Sequence, residues 1–336
     1  MKAAVLHNID DLRVEEVPTP VVKDGWILIK VDSTGICGSD IPRIKKTGTY
    51  TFPIIPGHEF SGKVLSTGEK VAVYPLIPCG ECVFCRIGQF NLCDHYDYLG
   101  SRRDGGFAQF VSVPKENLIS VPENVDLEDA ALTEPASVAQ HGVKRSNLIK
   151  GGTVLVVGAG TIGYFAAQWA YVFGARKVIV IDIDEKKLEI IEKTIPVEAL
   201  ISDATVIDKI LSHTDGVGVD VSIEAVGSSK TIEICLLATR KGGEIINIGN
   251  PEIDVTVSSK IFAKINRGEL TIKGSWNSII SPSFKNEWRV TLEGMSSGRI
   301  NVRNIITHRF PLERINEAID LMYLHKESYG KVVVNL

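Results

Sequence analysis

The sequence has no basic excess, no long apolar run and no internal repeat. Its 37 Lys and Arg residues are balanced by 41 Asp and Glu, and the net charge of -4 gives no reason to expect nucleic acid as a partner. No apolar run approaches the roughly 20 residues of a membrane span, so we expect no membrane contact. Residues 1–7 lead directly into a polar and acidic stretch, unlike a secretory signal, and we therefore expect a cytoplasmic protein.

Cysteine is scarce as well, yet four of the six cysteines are clustered. In a reducing compartment such closely spaced thiols are better explained as metal ligands than as disulfides. Four thiolates satisfy a closed tetrahedral zinc site, whereas ferredoxin-type iron–sulfur centres use other spacings. We predict a structural zinc that fixes a loop with little apolar core, and its ligands are Cys79, Cys82, Cys85 and Cys93. Cys235 lies in an apolar run and is interpreted as a buried core residue.

The first third of the chain predicts β structure. Its short apolar or alternating runs are separated by Pro18, Pro20 and Gly25, which is typical of an antiparallel barrel or sandwich. The predicted strands are 2–6, 12–17, 26–31, 62–65, 70–74 and 107–113.

Residues 153–182 form a complete strand, turn, helix and strand pattern. An apolar run is followed by the G-x-G-x-x-G spacing of Gly158, Gly160 and Gly163, and the helix that begins with Thr161 and Ile162 offers its N–H groups to a phosphate. Asp182 follows at the distance at which an acid binds the ribose hydroxyls of a dinucleotide. The alternative, a glycine-rich turn in some other α/β protein, does not account for this context.

Later runs at 219–223, 244–248 and 270–272 alternate with helical patterns, which predicts a doubly wound parallel sheet. After them we expect a helix from about residue 284, a strand at 305–310, a helix at 313–324 and a last strand at 331–334. The expected organisation is an α/β dinucleotide-binding (Rossmann) domain, 137–274, inserted into a mostly β domain made of 1–136 and 275–336.

Four further residues are dispersed along the chain. Cys37 lies in Gly-Ile-Cys-Gly-Ser-Asp, His58 and Glu59 lie in Gly-His-Glu, and Glu134 lies in Glu-Pro. Each residue alone has an ordinary explanation. Their order, together with the four-cysteine cluster and the glycine turn, resembles the zinc-dependent medium-chain dehydrogenase family, and stretches such as 37–44, 100–107 and 273–277 resemble its polyol dehydrogenase branch.

The resemblance implies a GroES-like catalytic domain in which Cys37 and His58 hold a catalytic zinc. Glu59 or Glu134 would complete the shell, directly or through water, and Glu134 falls where alcohol dehydrogenases have a second cysteine. Ser39 resembles the first hydroxyl of the family's proton relay. The next relay member is commonly a histidine, but this chain has Pro42 there, so the proton's route beyond Ser39 must differ.

The implied reaction is oxidation of a secondary hydroxyl of a sugar alcohol or sugar alcohol phosphate to the ketose, with zinc as Lewis acid and hydride passing to NAD. One alternative is an unphosphorylated polyol or a small secondary alcohol such as sorbitol, xylitol or butanediol. A nucleotide-binding scaffold or sensor is disfavoured because the dispersed ligands are all present. Enzymes of this kind lead us to expect a homodimer or homotetramer.

The sequence also bears on specificity. Asp182 would repel the 2′-phosphate of NADP, and no arginine stands beside it, so we expect NAD. A basic set near the presumed metal suggests a phosphorylated substrate, since arginine binds phosphate oxygens in pairs. This set is Arg43, Lys45, Lys46, Arg102 and Arg103, with Arg43 the preferred anchor; the resemblance adds Asn277 as a substrate residue.

Overall fold

The structure, a computed structural model, describes residues 1–280 and 286–336. The chain folds into two compact units. Unit 1 consists of Met1–Glu134, Ser278–Gly298 and Ile306–Leu336. Unit 2 consists of Pro135–Asn277 and Arg299–Ile305. The middle of the sequence thus builds the second unit, and the end of the sequence returns to the first.

Unit 1 begins with short strands, many of them joined by turns. The strands are β1 (Lys2–Asn8), β2 (Asp11–Glu16), β3 (Trp26–Gly35), β4 (Glu59–Val64), β5 (Lys70–Val73), β6 (Leu76–Ile77), β7 (Asp97–Tyr98), β8 (Phe110–Pro114) and β9 (Leu118–Ser120). The helices of this part are α1 (Asp40–Pro42), the π-turn Arg43–Thr47, α2 (Val83–Arg86) and α3 (Leu127–Ala131), and α4 (Thr133–Lys144) leads out of unit 1.

Unit 2 is a six-stranded parallel sheet with helices between the strands. The strands are β10 (Thr153–Val157), β11 (Lys177–Asp182), β12 (Glu198–Ile201), β13 (Val219–Glu224), β14 (Thr239–Asn247) and β15 (Thr271–Gly274). The helices are α5 (Thr161–Val172), α6 (Glu185–Glu192), α7 (Val206–Ser212), α8 (Ser229–Ala238) and α9 (Ser259–Gly268).

The strand order of this sheet is β12-β11-β10-β13-β14-β15. It is the 3-2-1-4-5-6 order of dinucleotide-binding sheets, and it reverses between β10 and β13, where such sheets bind their ligand. All five residues of β10 are buried, as expected of a strand with both faces covered. The predicted doubly wound α/β fold is therefore confirmed.

The returning chain adds α10 (Glu287–Ser296), β16 (Ile306–Pro311), α11 (Ile315–Tyr323) and β17 (Lys331–Asn335) to unit 1. These strands extend the main sheet of unit 1, whose order is β16-β17-β3-β4-β5-β9, with β8 also paired to β3. The last strand of the chain thus lies antiparallel to β3, next to the segment that carries Cys37. This pairing brings residues from opposite ends of the sequence together.

Two details differ from the sequence interpretation. Arg299–Ile305 belongs to unit 2 rather than to the returning segment, because Asn301 bonds to the side chains of Gln168 and Tyr164 on α5. The helix expected from about residue 284 begins at Glu287 in the structure, and the first two residues of the expected helix, 284–285, lie outside the described residues. Within the described residues no helix is long and apolar enough to cross a membrane.

Candidate functional site

The glycine turn of unit 2 leaves room for a phosphate. Gly158 has φ of 99°, a value that favours glycine, and its N–H donates to the carbonyl of Ile181 at 2.8 Å. A Cβ on Gly163 would collide with the carbonyl of Gly158, which explains why the helix can approach the strand so closely. A Cβ on Gly160 would meet nothing within 4 Å, so the space beside this backbone is open.

The start of α5 adds donors to this open space. No side chain caps the helix, so the N–H groups of Thr161 and Ile162 lack a side-chain acceptor and can bind an anion. Asp182 ends β11 beside the turn, and its carboxylate accepts from the N–H of Ala159 at 2.6 Å and of Asp184 at 2.9 Å. An acid held there is suited to the ribose hydroxyls of a dinucleotide.

The four clustered cysteines of unit 1 come together between β6 and β7. Their sulfur atoms all lie within 4.8 Å of one another, with 3.9 Å between Cys79 and Cys85 and between Cys82 and Cys93. Zn–S bonds of about 2.3 Å in a tetrahedron require sulfurs about 3.8 Å apart, whereas a disulfide requires about 2.0 Å. The four thiols therefore fit a closed zinc site.

This cysteine lobe has little apolar core. Val83, Ile87 and Leu92 lie within it, and all three side chains are largely exposed. Backbone N–H groups of Cys85 and Asp94 lower the pKa of Cys82 to about 6, whereas burial raises the pKa of Cys85 to about 12 and that of Cys93 above its usual value. A bound cation would favour the thiolate form of all four cysteines. A metal would replace the missing core as the element that holds the lobe.

The dispersed residues Cys37, His58 and Glu59 also meet in unit 1. Cys37 follows β3, His58 precedes β4, and the antiparallel pairing of Gly35 with Glu59 places these strand ends together. The ligand atoms of the three residues lie within 4.8 Å of one another, and His58 and Glu59 are buried. Thiolate, imidazole and carboxylate are the donors of catalytic zinc sites, in which three protein ligands leave one position open.

A buried carboxylate that the sequence interpretation did not use organises this cluster. Asp40 accepts from the N–H of Cys37 at 3.0 Å, and its other oxygen lies 3.2 Å from Nδ1 of His58. A carboxylate at Nδ1 leaves Nε2 of the imidazole for a metal. Burial opposes the charge on both residues, but their mutual attraction prevails: the pKa of Asp40 is lowered and the pKa of His58 is raised.

Lys331, at the start of β17, was also missed. Its ammonium forms a buried ion pair with Glu59 and donates to the carbonyl of Ile36 at 2.9 Å. Burial opposes this charge, yet Glu59 and Cys37 raise the pKa of Lys331 above its usual value. A lysine in the otherwise apolar run of residues 331–334 was the signal available in the sequence. The pair shows that one carboxylate oxygen of Glu59 is held by a protein cation.

Glu134 is buried near the cluster but does not belong to the group of three ligands. Its carboxylate accepts from the hydroxyl of Tyr98 at 3.3 Å. Burial raises the pKa of Glu134 to about 7; His58 and Lys331 oppose this increase, and Glu59 adds to it. Of the two acids considered as zinc ligands, Glu59 is the one placed among the donor atoms in this structure.

The remaining predicted residues are placed as follows. The Ser39 hydroxyl donates to the Cys37 sulfur at 3.3 Å and accepts from Arg43 at 3.0 Å. Arg43 also lies 3.9 Å from Asp40, so its side chain is directed at the metal cluster. Asn277 is the last residue of the first segment of unit 2 and has a left-handed φ of 58°.

Comparison with known proteins agrees with this architecture. Residues 23–123 match the alcohol dehydrogenase GroES-like domain, and residues 161–296 match the zinc-binding dehydrogenase domain. The chain belongs to the zinc-dependent alcohol dehydrogenase family, and the resemblance seen in the sequence is confirmed.

Individual relatives are polyol dehydrogenases. The chain is 32% identical to galactitol 1-phosphate 5-dehydrogenase of Escherichia coli over 95% of both chains, and 30% identical to sorbitol dehydrogenase of Bacillus subtilis over 99% of this chain and 97% of the relative. The crystal structure of the Escherichia coli galactitol-1-phosphate dehydrogenase superposes with a TM-score of 0.92 at 31% identity over 100% of both chains.

The two cysteine-containing clusters generate a paired prediction. Cys37→Ala and Cys85→Ala should each lower the zinc content from two ions per chain to about one, because each removes a ligand from a different group. Cys37→Ala should abolish turnover and leave the thermal midpoint nearly unchanged. Cys85→Ala should lower the midpoint by roughly 5 °C or more, because a structural metal contributes folding free energy.

Elemental analysis and thermal unfolding of the two variants provide the check, and Cys235→Ala, which removes a cysteine outside both groups, is the control for zinc content. A fully folded, active wild-type protein with one zinc or none would contradict the assignment.

Proposed function

We propose that this protein is an NAD-dependent, zinc-containing dehydrogenase that oxidises a secondary hydroxyl of a sugar alcohol to the ketose, and that the sugar alcohol carries a phosphate. The observation that carries the proposal is the group of partly buried Cys37 with buried His58 and Glu59, three donors of the types that leave a catalytic zinc one open position. Relatives over almost the full chain that act on sugar alcohols support the substrate class.

The residues present fit both cofactors. Cys37 and His58 would hold the zinc with Glu59, and the open backbone at Gly160 with the uncapped start of α5 would hold the dinucleotide phosphates. When bound, zinc would act as a Lewis acid on the substrate hydroxyl and NAD would accept the hydride.

The chain's own contribution is to orient these groups and to receive a proton. Asp40 fixes His58 and Cys37, and Lys331 holds Glu59 by one oxygen. The hydroxyl of Ser39, which is hydrogen-bonded to Cys37, would relay the proton of a substrate hydroxyl at the cluster: it would accept that proton and release its own to the next group. Beyond Ser39 the proton must pass to another group, because the side chain of Pro42 cannot bind a proton and the guanidinium of Arg43 is already protonated.

A homo-oligomer is part of the proposal. β15 is an edge strand of the parallel sheet, and its Ile272 side chain is 48% exposed. A sheet edge with an exposed apolar side chain favours pairing with another chain, so we propose a homodimer, or a tetramer of such dimers, formed through this edge. Light scattering should give a multiple of 36.7 kDa that falls to the monomer mass in Ile272→Lys.

Cofactor preference follows from Asp182. The carboxylate repels a 2′-phosphate, and a misplaced like charge costs several kcal/mol, so kcat/KM should favour NAD over NADP by about 100-fold. Asp182→Ser should lower the ratio of kcat/KM with NAD to kcat/KM with NADP. Asp208→Ser, which removes an exposed acid on α7, is the control and should leave this ratio unchanged. A higher kcat/KM with NADP in the wild-type protein would show that this role of Asp182 is wrong.

The substrate class is tested by a panel of pentitols and hexitols, each free and as its terminal phosphate, with NAD and zinc-loaded protein. We expect oxidation of sugar alcohols, with a higher kcat/KM for at least one phosphate than for its free polyol. A consistent preference for free polyols would favour the alternative of an unphosphorylated substrate. Binding of NAD without oxidation of any alcohol would favour the nucleotide-binding scaffold instead.

A further inference from the structure

The five basic residues of the predicted phosphate-binding set differ in their partners. Lys45 pairs with Asp10 and Asp320, Arg103 pairs with Asp97, and Lys46 lies over the ring of Tyr323; Arg43 donates to Ser39. Within the described parts of the chain, the Arg102 guanidinium has neither a carboxylate partner nor a hydrogen-bond acceptor, and its Nε is buried without a partner. Lys46 also lacks a carboxylate partner in the described chain, but its side chain is exposed to water, whereas Nε of Arg102 is buried.

Two tyrosine rings hold this guanidinium in place. Its Cζ lies 4.1 Å from the ring centroid of Tyr50 and 4.6 Å from that of Tyr96. The rings stabilise the cation through their faces but offer no acceptor to the N–H groups in its plane. Because Tyr50 is 64% exposed, this arrangement is open to solvent on one side. An anion that reached Arg102 would therefore meet an oriented, charged guanidinium.

The loop that carries Arg102 is fixed to the segment before His58. The N–H groups of Gly105 and Phe107 donate to the carbonyls of Ile55 and Pro56 at 2.7 and 3.0 Å. A Cβ on Gly105 would collide with the Gly57 carbonyl, so the two segments are in close backbone contact. The position of Arg102 relative to the metal cluster is consequently set by backbone packing.

A line of aromatic contacts connects Arg102 with the cluster. The ring of Tyr98 lies 5.7 Å from that of His58 and 6.2 Å from that of Tyr96, which in turn lies under Arg102. The guanidinium is therefore a few ring contacts from the candidate metal ligand. A substrate that reached both groups would have one hydroxyl at the cluster and its anionic group at the far end of an extended carbon chain.

We propose that Arg102, clamped between Tyr50 and Tyr96, binds the phosphate of a phosphorylated sugar alcohol and is the residue that distinguishes it from the free polyol. The inference rests on the proposed function and replaces Arg43 with Arg102 as the phosphate anchor, because Arg43 is engaged by Ser39 and Asp40. The same fork would also fit the pyrophosphate of the dinucleotide, and the test separates the two sources.

The test compares the variants Arg102→Gln and Arg102→Lys. Arg103→Gln is the control, because Arg103 is already paired with Asp97. Arg102→Gln should lower kcat/KM for a hexitol phosphate by about 10- to 100-fold, the effect of losing hydrogen bonds between charged groups. It should leave kcat/KM for the free hexitol and KM for NAD unchanged. Lysine should recover part of the loss, since it keeps the charge without the planar fork.

A second measurement does not depend on turnover. Calorimetric titration of the zinc-loaded protein, saturated with NADH, with a hexitol phosphate should show about tenfold weaker binding in Arg102→Gln. The thermal midpoint should fall by no more than a few degrees, because only the two ring contacts are lost. If the wild type binds the hexitol phosphate without oxidising it, and Arg102→Gln loses this binding, the inference stands and the proposed reaction is wrong. Three results for Arg102→Gln would overturn the inference and leave the proposed reaction standing. They are an equal loss of kcat/KM for the free and the phosphorylated hexitol, a change in KM for NAD alone, and no change at all.

Discussion

The candidate metal site of unit 1 depends on a single buried carboxylate. Asp40 reaches the backbone of Cys37 with one oxygen and the imidazole of His58 with the other, so two ligands from different strand ends are oriented by the same group. A buried charge is costly without partners, and here the partners are the metal ligands themselves. Removal of the Asp40 carboxylate would consequently leave both the Cys37 N–H and the His58 imidazole without this partner.

The two candidate metal-binding groups differ in their ligands and in what a bound metal would do there. The four cysteines close a tetrahedron and hold a lobe whose apolar side chains are largely exposed, so their contribution is to stability. The Cys37 group combines a partly buried thiol with a buried imidazole and a buried carboxylate, and one oxygen of this carboxylate, that of Glu59, is paired with Lys331. A carboxylate shared between a metal and a lysine is less firmly committed to the metal than a thiolate, which suits a site that must admit a substrate.

Local signals in the sequence were sufficient for much of the fold and for the proposal of a four-cysteine metal site, whereas the Cys37 group was assigned only through the resemblance to a family. Glycines at Gly158, Gly160 and Gly163 and the alternation of strands and helices predicted the parallel sheet, because each signal lies within one supersecondary unit. The spacing of the cysteine lobe was equally local.

The contacts that the sequence did not reveal are made by residues that lie far apart in the chain. Lys331 meets Glu59 only because β17 adds to β3, and no local pattern predicts that neighbour. The choice of Arg43 as the phosphate anchor rested on closeness in sequence to Cys37. The structure shows that this closeness engages Arg43 with Ser39, while Arg102, from a distant loop, keeps its charge unmatched in the described chain.

Zinc retention in Asp40→Asn shows whether Asp40 orients the ligands of a catalytic zinc. Asp40 accepts from the Cys37 N–H with one oxygen, and its other oxygen lies 3.2 Å from Nδ1 of His58. An amide keeps a single acceptor oxygen and loses the charge, so competition with a chromophoric chelator should remove one of the two zinc ions at about 10- to 100-fold lower chelator concentration than in the wild type. The exposed Asp24→Asn is the control. Loss of both ions at the wild-type chelator concentration, in a variant that remains folded, would contradict this role of Asp40.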